Sequence, residues 1–133
     1  MSSFATDINT LLKSDASINA IVDGGIHYEN FEDNWLAKTD DDNWVVYTFN
    51  KSNQTNCLQE KNVFMTYTLN IILIQRDSNT NLDILTDLFI DFLNGYESQK
   101  MIDLTFLRDS GGFDQQKGVY TNNLEFLVTY LES

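Results

Sequence analysis

The stretch over residues 63–93 constrains the chain most, because it reads as one long strand running straight into one amphipathic helix. In VFMTYTLNIILIQ, Val63, Met65, Tyr67, Leu69, Ile71 and Leu73 fall on one side, and Phe64, Thr66, Thr68 and Asn70 on the other. Strand side chains alternate between the two faces of a sheet, so one face is buried and the other mixed. From Ile71 to Ile74 both faces are apolar, as in a central strand covered on both sides at that end. RDSNTN breaks the pattern. Leu82, Leu85, Leu88, Phe89, Phe92 and Leu93 then recur at helical spacing, with Asp83, Asp87 and Asp91 on the opposite side. Asn94-Gly95 stops this helix, since glycine accepts the left-handed conformation a helix end needs. The unit carries no catalytic motif.

The flanking segments extend the same architecture. Ser2 or Ser3 caps a first helix whose stripe is Phe4, Ile8, Leu11 and Leu12. Asp15 caps a second turn that places Ile18, Ile21 and Val22 together, and Asp23-Gly24-Gly25 ends it. Residues 26–28 form a short strand, 29–43 a polar loop, 44–49 a strand, and 50–62 a turn-rich connection. After the helix, residues 101–108 form a strand with Ile102, Leu104 and Phe106 on one face. Residues 109–118 form a hairpin loop with three glycines. Residues 119–131 form a closing strand whose Tyr120, Leu124, Phe126, Val128 and Tyr130 share a face. The order is helix, three strands, helix, two-stranded hairpin. It predicts an α+β fold, a mostly antiparallel or mixed β-sheet with helices packed on it.

Composition bounds the function. A chain of 133 residues supports one domain with a real core, and an apolar content of 42% argues against disorder. No run of eighteen apolar residues is present, so no membrane span or membrane partner is expected. MSSFATDINTLLK has no basic start and no long apolar run, so it does not read as a secretory signal. Cys57 is the single cysteine, which fits synthesis in a reducing cytoplasm. The formal charge is -12, and the acidic residues divide evenly between the halves before and after Val63. Such a surface repels phosphate, which excludes a DNA- or RNA-binding role.

No chemistry-bearing constellation is complete. Asp40-Asp41-Asp42 lacks the alternate spacing, the bend glycine and the distal Glu of a calcium loop, so no metal site is expected. His27 and Cys57 carry none of the local signatures of a cysteine nucleophile. Ser110-Gly111-Gly112 lacks the lysine and following helix of a phosphate-cradling loop. Asp83, Asp87 and Asp91 repeat every four residues, a spacing that marks a solvated face or a subunit boundary. The chain is therefore expected to have no catalytic residue and no cofactor.

The order of elements nevertheless resembles a known family. The first helix runs into Ser14-Asp15-Ala16-Ser17-Ile18-Asn19-Ala20-Ile21-Val22, then a glycine pair and Ile26-His27-Tyr28. Trp44-Val45-Val46-Tyr47 follows a loop, and the long strand leads into the helix over 82–93. The last hairpin ends in Leu124-Glu125-Phe126-Leu127-Val128-Thr129-Tyr130. This pattern resembles the tail terminator (tail completion) proteins of long-tailed bacteriophages, the family that includes the lambda tail terminator. It covers nearly the whole chain, residues 1–133, as one such domain.

The resemblance implies a structural virion protein that forms a homo-hexameric ring at the head-proximal end of the tail tube. The ring stops tube polymerisation and offers a head–tail joining surface. Its partners would be itself, the tail tube protein and a head–tail connector or neck protein, with DNA passing through the lumen without specific binding. The two polar inter-strand segments supply candidate inter-subunit or ring–ring contacts: Asn53, Gln54 and Asn56 in one, Gly111, Gly112, Phe113, Asp114 and Gln115 in the other. Asp83, Asp87 and Asp91 are candidate lumen-facing acids, since a rigid helix can present a fixed row toward an axis. Alternatives are another neck or head-completion connector, or an acidic monomeric inhibitor that mimics DNA.

Overall fold

The structure, a computed structural model, describes residues 3–29, 42–56, 63–76 and 78–132, with the backbone alone for 52–56 and 63. In chain order the elements are α1 (Phe4–Leu12), α2 (Ala16–Ile21), β1 (Ile26–Tyr28), β2 (Asn43–Asn56), β3 (Val63–Arg76), α3 (Thr80–Leu93), β4 (Met101–Asp114) and β5 (Val119–Glu132). The strands form one five-stranded sheet in the order β1-β2-β3-β5-β4. β1 is parallel to β2, and every other neighbouring pair is antiparallel. The fold is α+β with a mixed, mostly antiparallel sheet, as the order of elements predicts.

Local chemistry sets the helix ends. The Ser3 side chain accepts from the Thr6 backbone N–H (3.2 Å), and Asp15 Oδ1 accepts from that of Ile18 (3.0 Å), so α1 and α2 each start on a capping oxygen. Asp23 then ties the end of α2 to the start of β2. Its Oδ1 accepts from the backbone of Asp42 (3.1 Å) and Asn43 (2.9 Å). Gly24 lies under Trp44 so closely that a Cβ there would stand 2.1 Å from Trp44 Cδ1, so only glycine fits. α3 ends at Asn94, where Gly95 turns with φ +84°.

All three helices cover one face of the sheet. Phe4, Ile8, Leu12, Leu85, Phe89 and Leu93 meet the inward rows Met65–Leu73 of β3 and Leu124–Tyr130 of β5 in one buried cluster. Leu85 and Phe89 are fully enclosed, whereas Leu88 and Phe92 pack against the cluster from its margin. Phe4 stacks on Tyr67 with ring centroids 3.9 Å apart. Phenols pin α1 to the sheet: Tyr47 OH donates to Asn9 Oδ1 (2.8 Å) and Tyr130 OH donates to the Asp7 carboxylate. Tyr67 OH donates to Glu132 Oε1 (2.5 Å). On the other face, Trp44, Val46, Ile74 and Val119 form a smaller buried cluster, which accounts for the apolar character of both faces near Ile74.

Three expectations are corrected. Residues 50–56 are not a turn-rich connection. They continue β2 against Val63–Thr68, because ladder hydrogen bonds need only backbone and β3 supplies a paired strand there. Residues 109–114 are not loop but the outer half of β4, paired with β5 as far as Asp114↔Val119. Only residues 115–118 turn, held by Gly118 N–H to Asp114 O (2.8 Å) and closed by Gly118 at φ +68°. Finally, Ile102 does not share a face with Leu104 and Phe106. The register of β4 slips between Met101 and Asp103 and again between Phe106 and Arg108. The extra residue at each bulge, Ile102 and Leu107, turns outward and is 41% and 42% exposed. Residues 30–41, with Asp40 and Asp41, and Cys57 lie outside the described residues.

Two measurements test this packing. Phe89→Ala should cost about 3–5 kcal/mol in a denaturant melt, the range for emptying a fully enclosed aromatic site, and a melt like that of the wild type would take α3 off the core. Burial first, then the hydrogen bond to Glu132, raises the Tyr67 phenol above its ordinary range, and burial followed by the Asp7 hydrogen bond does the same for Tyr130. A folded-state value above the unfolded one gives stability that is complete below about pH 10 and is lost as pH rises further. Melts between about pH 8 and about pH 11 should therefore show a steep alkaline loss that the Tyr67→Phe/Tyr130→Phe double variant flattens. An equal loss in both proteins would assign it elsewhere.

Candidate functional site

The outer half of the β4–β5 hairpin is the most exposed regular structure among the described residues. Every residue over 107–113 is exposed, Phe113 to 49%. Phe113 leans on Tyr120 with ring centroids 4.6 Å apart, and Arg108 Nε meets Glu125 Oε2 at 3.1 Å across the hairpin. Gly111 and Gly112 sit in the middle of this arm. Neither has a positive φ, and a Cβ on either would lie at an ordinary 3.6 Å from Thr121 atoms. Among the described residues nothing requires glycine at these two positions.

A buried polar relay anchors the root of the arm to α3. The Thr86 hydroxyl donates to Leu82 O (2.7 Å), so toward Asn122 it can only accept, and Asn122 Nδ2 donates to it at 2.7 Å. The same Nδ2 lies 3.3 Å from Asp109 Oδ2, another pure acceptor. These two partners fix the orientation of the Asn122 amide and join β5, β4 and α3 at one point. Asn122 is 8% exposed and its Oδ1 is buried without a hydrogen-bond partner. A cleft of about 330 Å³ opens beside the relay, between Asn79 and Asp83 at the start of α3 and Asp109 to Gly112 on β4. Its two carboxylates give the opening an acidic lip.

The candidate residues separate into three groups. Gly111, Gly112, Phe113 and Asp114 stand together on the β4 arm, with Gln115 opening the turn at its tip. Asn53, Gln54 and Asn56 lie on β2, near the opposite end and the opposite border of the sheet, paired with Thr66, Met65 and Val63. Asp83, Asp87 and Asp91 are all exposed on the outer side of α3. They face a channel only if the helical layer turns inward. The Asn122 relay was missed from the sequence. Its signal was there: a lone polar residue in the inward row Tyr120, Leu124, Phe126, Val128 and Tyr130.

Elsewhere, His27 Nε2 lies 2.8 Å from Gly24 O beside the β1 edge. Among the described residues no group of three or more His, Cys, Asp or Glu side chains is placed to hold a metal ion. No described helix is long and apolar enough to cross a membrane.

No family model matches the chain, and no curated protein sequence matches it. Solved structures do match, 17 chains in all. One is a chain of the virion of the native gene transfer agent (GTA) particle, superposed with a TM-score of 0.67 at 15% identity. The match covers 98% of this chain and 100% of that one. At such identity the likeness is one of fold, and the two chains share the α+β arrangement from end to end.

Proposed function

We propose that this protein is a structural component of a phage-type virion. It forms a ring at the head-proximal end of a tail tube, stops tube growth there and presents a joining surface to the head. The observation that carries the reading is the end-to-end likeness of fold to a virion chain, with neither chain left over. The resemblance of the element order to tail terminators points to the same place in a particle and to six copies. In this reading the protein contacts itself, the tail tube protein and a neck protein, and does no chemistry of its own.

The charge is consistent with that role. A ring that lets a genome slide must not grip phosphates, and a domain of formal charge -12 does not. Another neck or head-completion connector has the same requirement and is the nearest competing reading. A DNA-mimicking inhibitor would present long rows of carboxylates, whereas beyond the three on α3 the described acids are scattered over α1, β4, β5 and the loops.

The test is removal of the gene from the particle that encodes it. Electron micrographs should then show tail tubes of uncontrolled length without heads, and adding back purified protein should restore tubes of one length. Tails of normal length joined to heads would overturn the terminator role. Headless particles whose tails keep their normal length would move the protein to the neck. A purified protein that stays monomeric and blocks a DNA-binding enzyme would replace the reading altogether.

A further inference from the structure

Among the described residues two stretches of sheet border carry no flanking strand, and they stand on opposite borders at opposite ends. β1 flanks β2 only from Val45 to Tyr47, with Glu29 N–H adding a bond to Tyr47 O (2.9 Å). Among the described residues no strand flanks β2 over 49–56. On the other border, the end of α3 covers the first half of β4. Gly95 N–H donates to Leu104 O (2.8 Å), and Phe106 N–H donates to Asn94 Oδ1 (2.9 Å). Over 107–114 no described group takes that place. Proteins blunt free strand edges with bulges, lysines, prolines or covering segments. The first half of β4 has two bulges and a cover. The second half has neither, the stretch over 108–114 holds no lysine, and the chain has no proline.

We propose that the open half-edge of β4 in one copy pairs, antiparallel, with the open half-edge of β2 in the next, so that the sheets of a ring join into one closed barrel. This rests on the ring reading above. Direction permits it: β4 runs parallel to β3 and β2 runs against β3, so two copies side by side in the same orientation bring β4 and β2 together antiparallel. Lengths agree at eight residues each, 107–114 and 49–56. Gly111 and Gly112, which the subunit itself does not require, stand where the neighbouring backbone arrives. Asp109 and Asp114 on one edge face a segment whose described charge is Lys51.

The offset between the half-edges is the tilt a barrel needs. Ser110 is level with Ile72 through Asn123, and Asn53 is level with Thr66. Joining Ser110 to Asn53 therefore steps each copy by six residues, ~20 Å along the strands, for every four strands (β2, β3, β5 and β4), ~19 Å across. That is a tilt of about 45°, at the upper end of the range of closed barrels. Leu104 and Phe106, with the bulge at Leu107, point the backbone of Asp109, Gly111 and Phe113 to the open side, so Ser110 and Asn53 meet as a non-hydrogen-bonded pair.

The hand of the step fixes which layer faces in. β3, α3 and β4 form a crossover between parallel strands, and such crossovers are right-handed. Seen from the helices, β4 then lies to the right of β3, and each next copy on that side steps upward. Strands so tilted rise to the right, the sense that right-handed strand twist imposes on a barrel seen from outside. The helices are therefore on the outer wall and the open sheet face lines the channel. That face carries Thr66, Thr68, Asn70, Asn123 and Thr129, with Glu125 across from Arg108. The channel lining thus mixes hydroxyls and amides with Ile72 and Leu127, and Asp83, Asp87 and Asp91 stand outside it.

Disulfide trapping tests the pairing. Directly opposed residues in such a pair have Cα atoms about 4.5 Å apart, which a disulfide can bridge. In a Cys57→Ser background, Asn53→Cys with Ser110→Cys should give a covalent ladder up to the ring on oxidation, and mixing the two single variants should give dimers only. The protein is used concentrated and bound to tail tubes, with its oligomeric mass measured in parallel. Gly111→Pro, which removes an N–H from the open side, should abolish the oligomer while the monomer melts within a few degrees of wild type. An oligomer of unchanged mass that gives no ladder and survives Gly111→Pro overturns the edge pairing and leaves the ring standing. A monomer under every condition removes the ring reading and this pairing with it.

Discussion

The fourteen-residue ladder between β3 and β5 is the contact on which the rest of the structure depends. Its inward row gives the helices a continuous apolar floor from Met65 and Tyr130 at one end to Leu73 at the other. The middle of its outward row, with Thr66, Thr68, Asn70, Asn123 and Glu125, is polar, and the helices lie on the other side. A sheet covered on one face and unclosed at its borders has two unlike surfaces and two unlike edges to offer a neighbour.

The polar contacts refine this arrangement. Tyr130 to Asp7 and Tyr47 to Asn9 set α1 on the floor at a fixed angle. The Asn122–Thr86–Leu82 relay does the same for α3 and ties the root of the β4–β5 arm to it. The amide is specific because any shift of α3 along the sheet would strip it of its shorter partner, Thr86, and lost hydrogen bonds of buried polar groups are costly. The arm beyond the relay is therefore a rigid extension of the sheet, suited to meeting a partner along its backbone.

Side-chain rows were legible in the sequence, and strand lengths were not. Alternation in β3 and β5, the α3 stripe and the caps at Ser3 and Asp15 are local signals, and local physics produced them. Polar Asn50 to Asn56 and the glycines of 108–114 read as loop because composition carries no record of a distant partner strand. Pairing with Val63–Thr68 and with Val119–Glu125 keeps both in the sheet. The bulges at Ile102 and Leu107 were likewise invisible, since a slip of register is defined only against β5. The acids of α3 are legible as an exposed row, and which way such a row would face in a ring depends on the sheet's edges, which no single helix encodes.

Amide hydrogen exchange resolved by residue tests the central claim most directly, comparing dilute monomer with assembled rings. The account predicts that Asp109, Gly111 and Phe113 exchange fast in the monomer and slowly in the ring, together with the outer amides of β2 beyond Tyr47. Phe106, already bonded to Asn94, should be slow in both. The exposed face of α3 around Asp83, Asp87 and Asp91 should not change. Rings that form while Asp109, Gly111 and Phe113 still exchange at the monomer's rate would contradict a barrel closed through these edges.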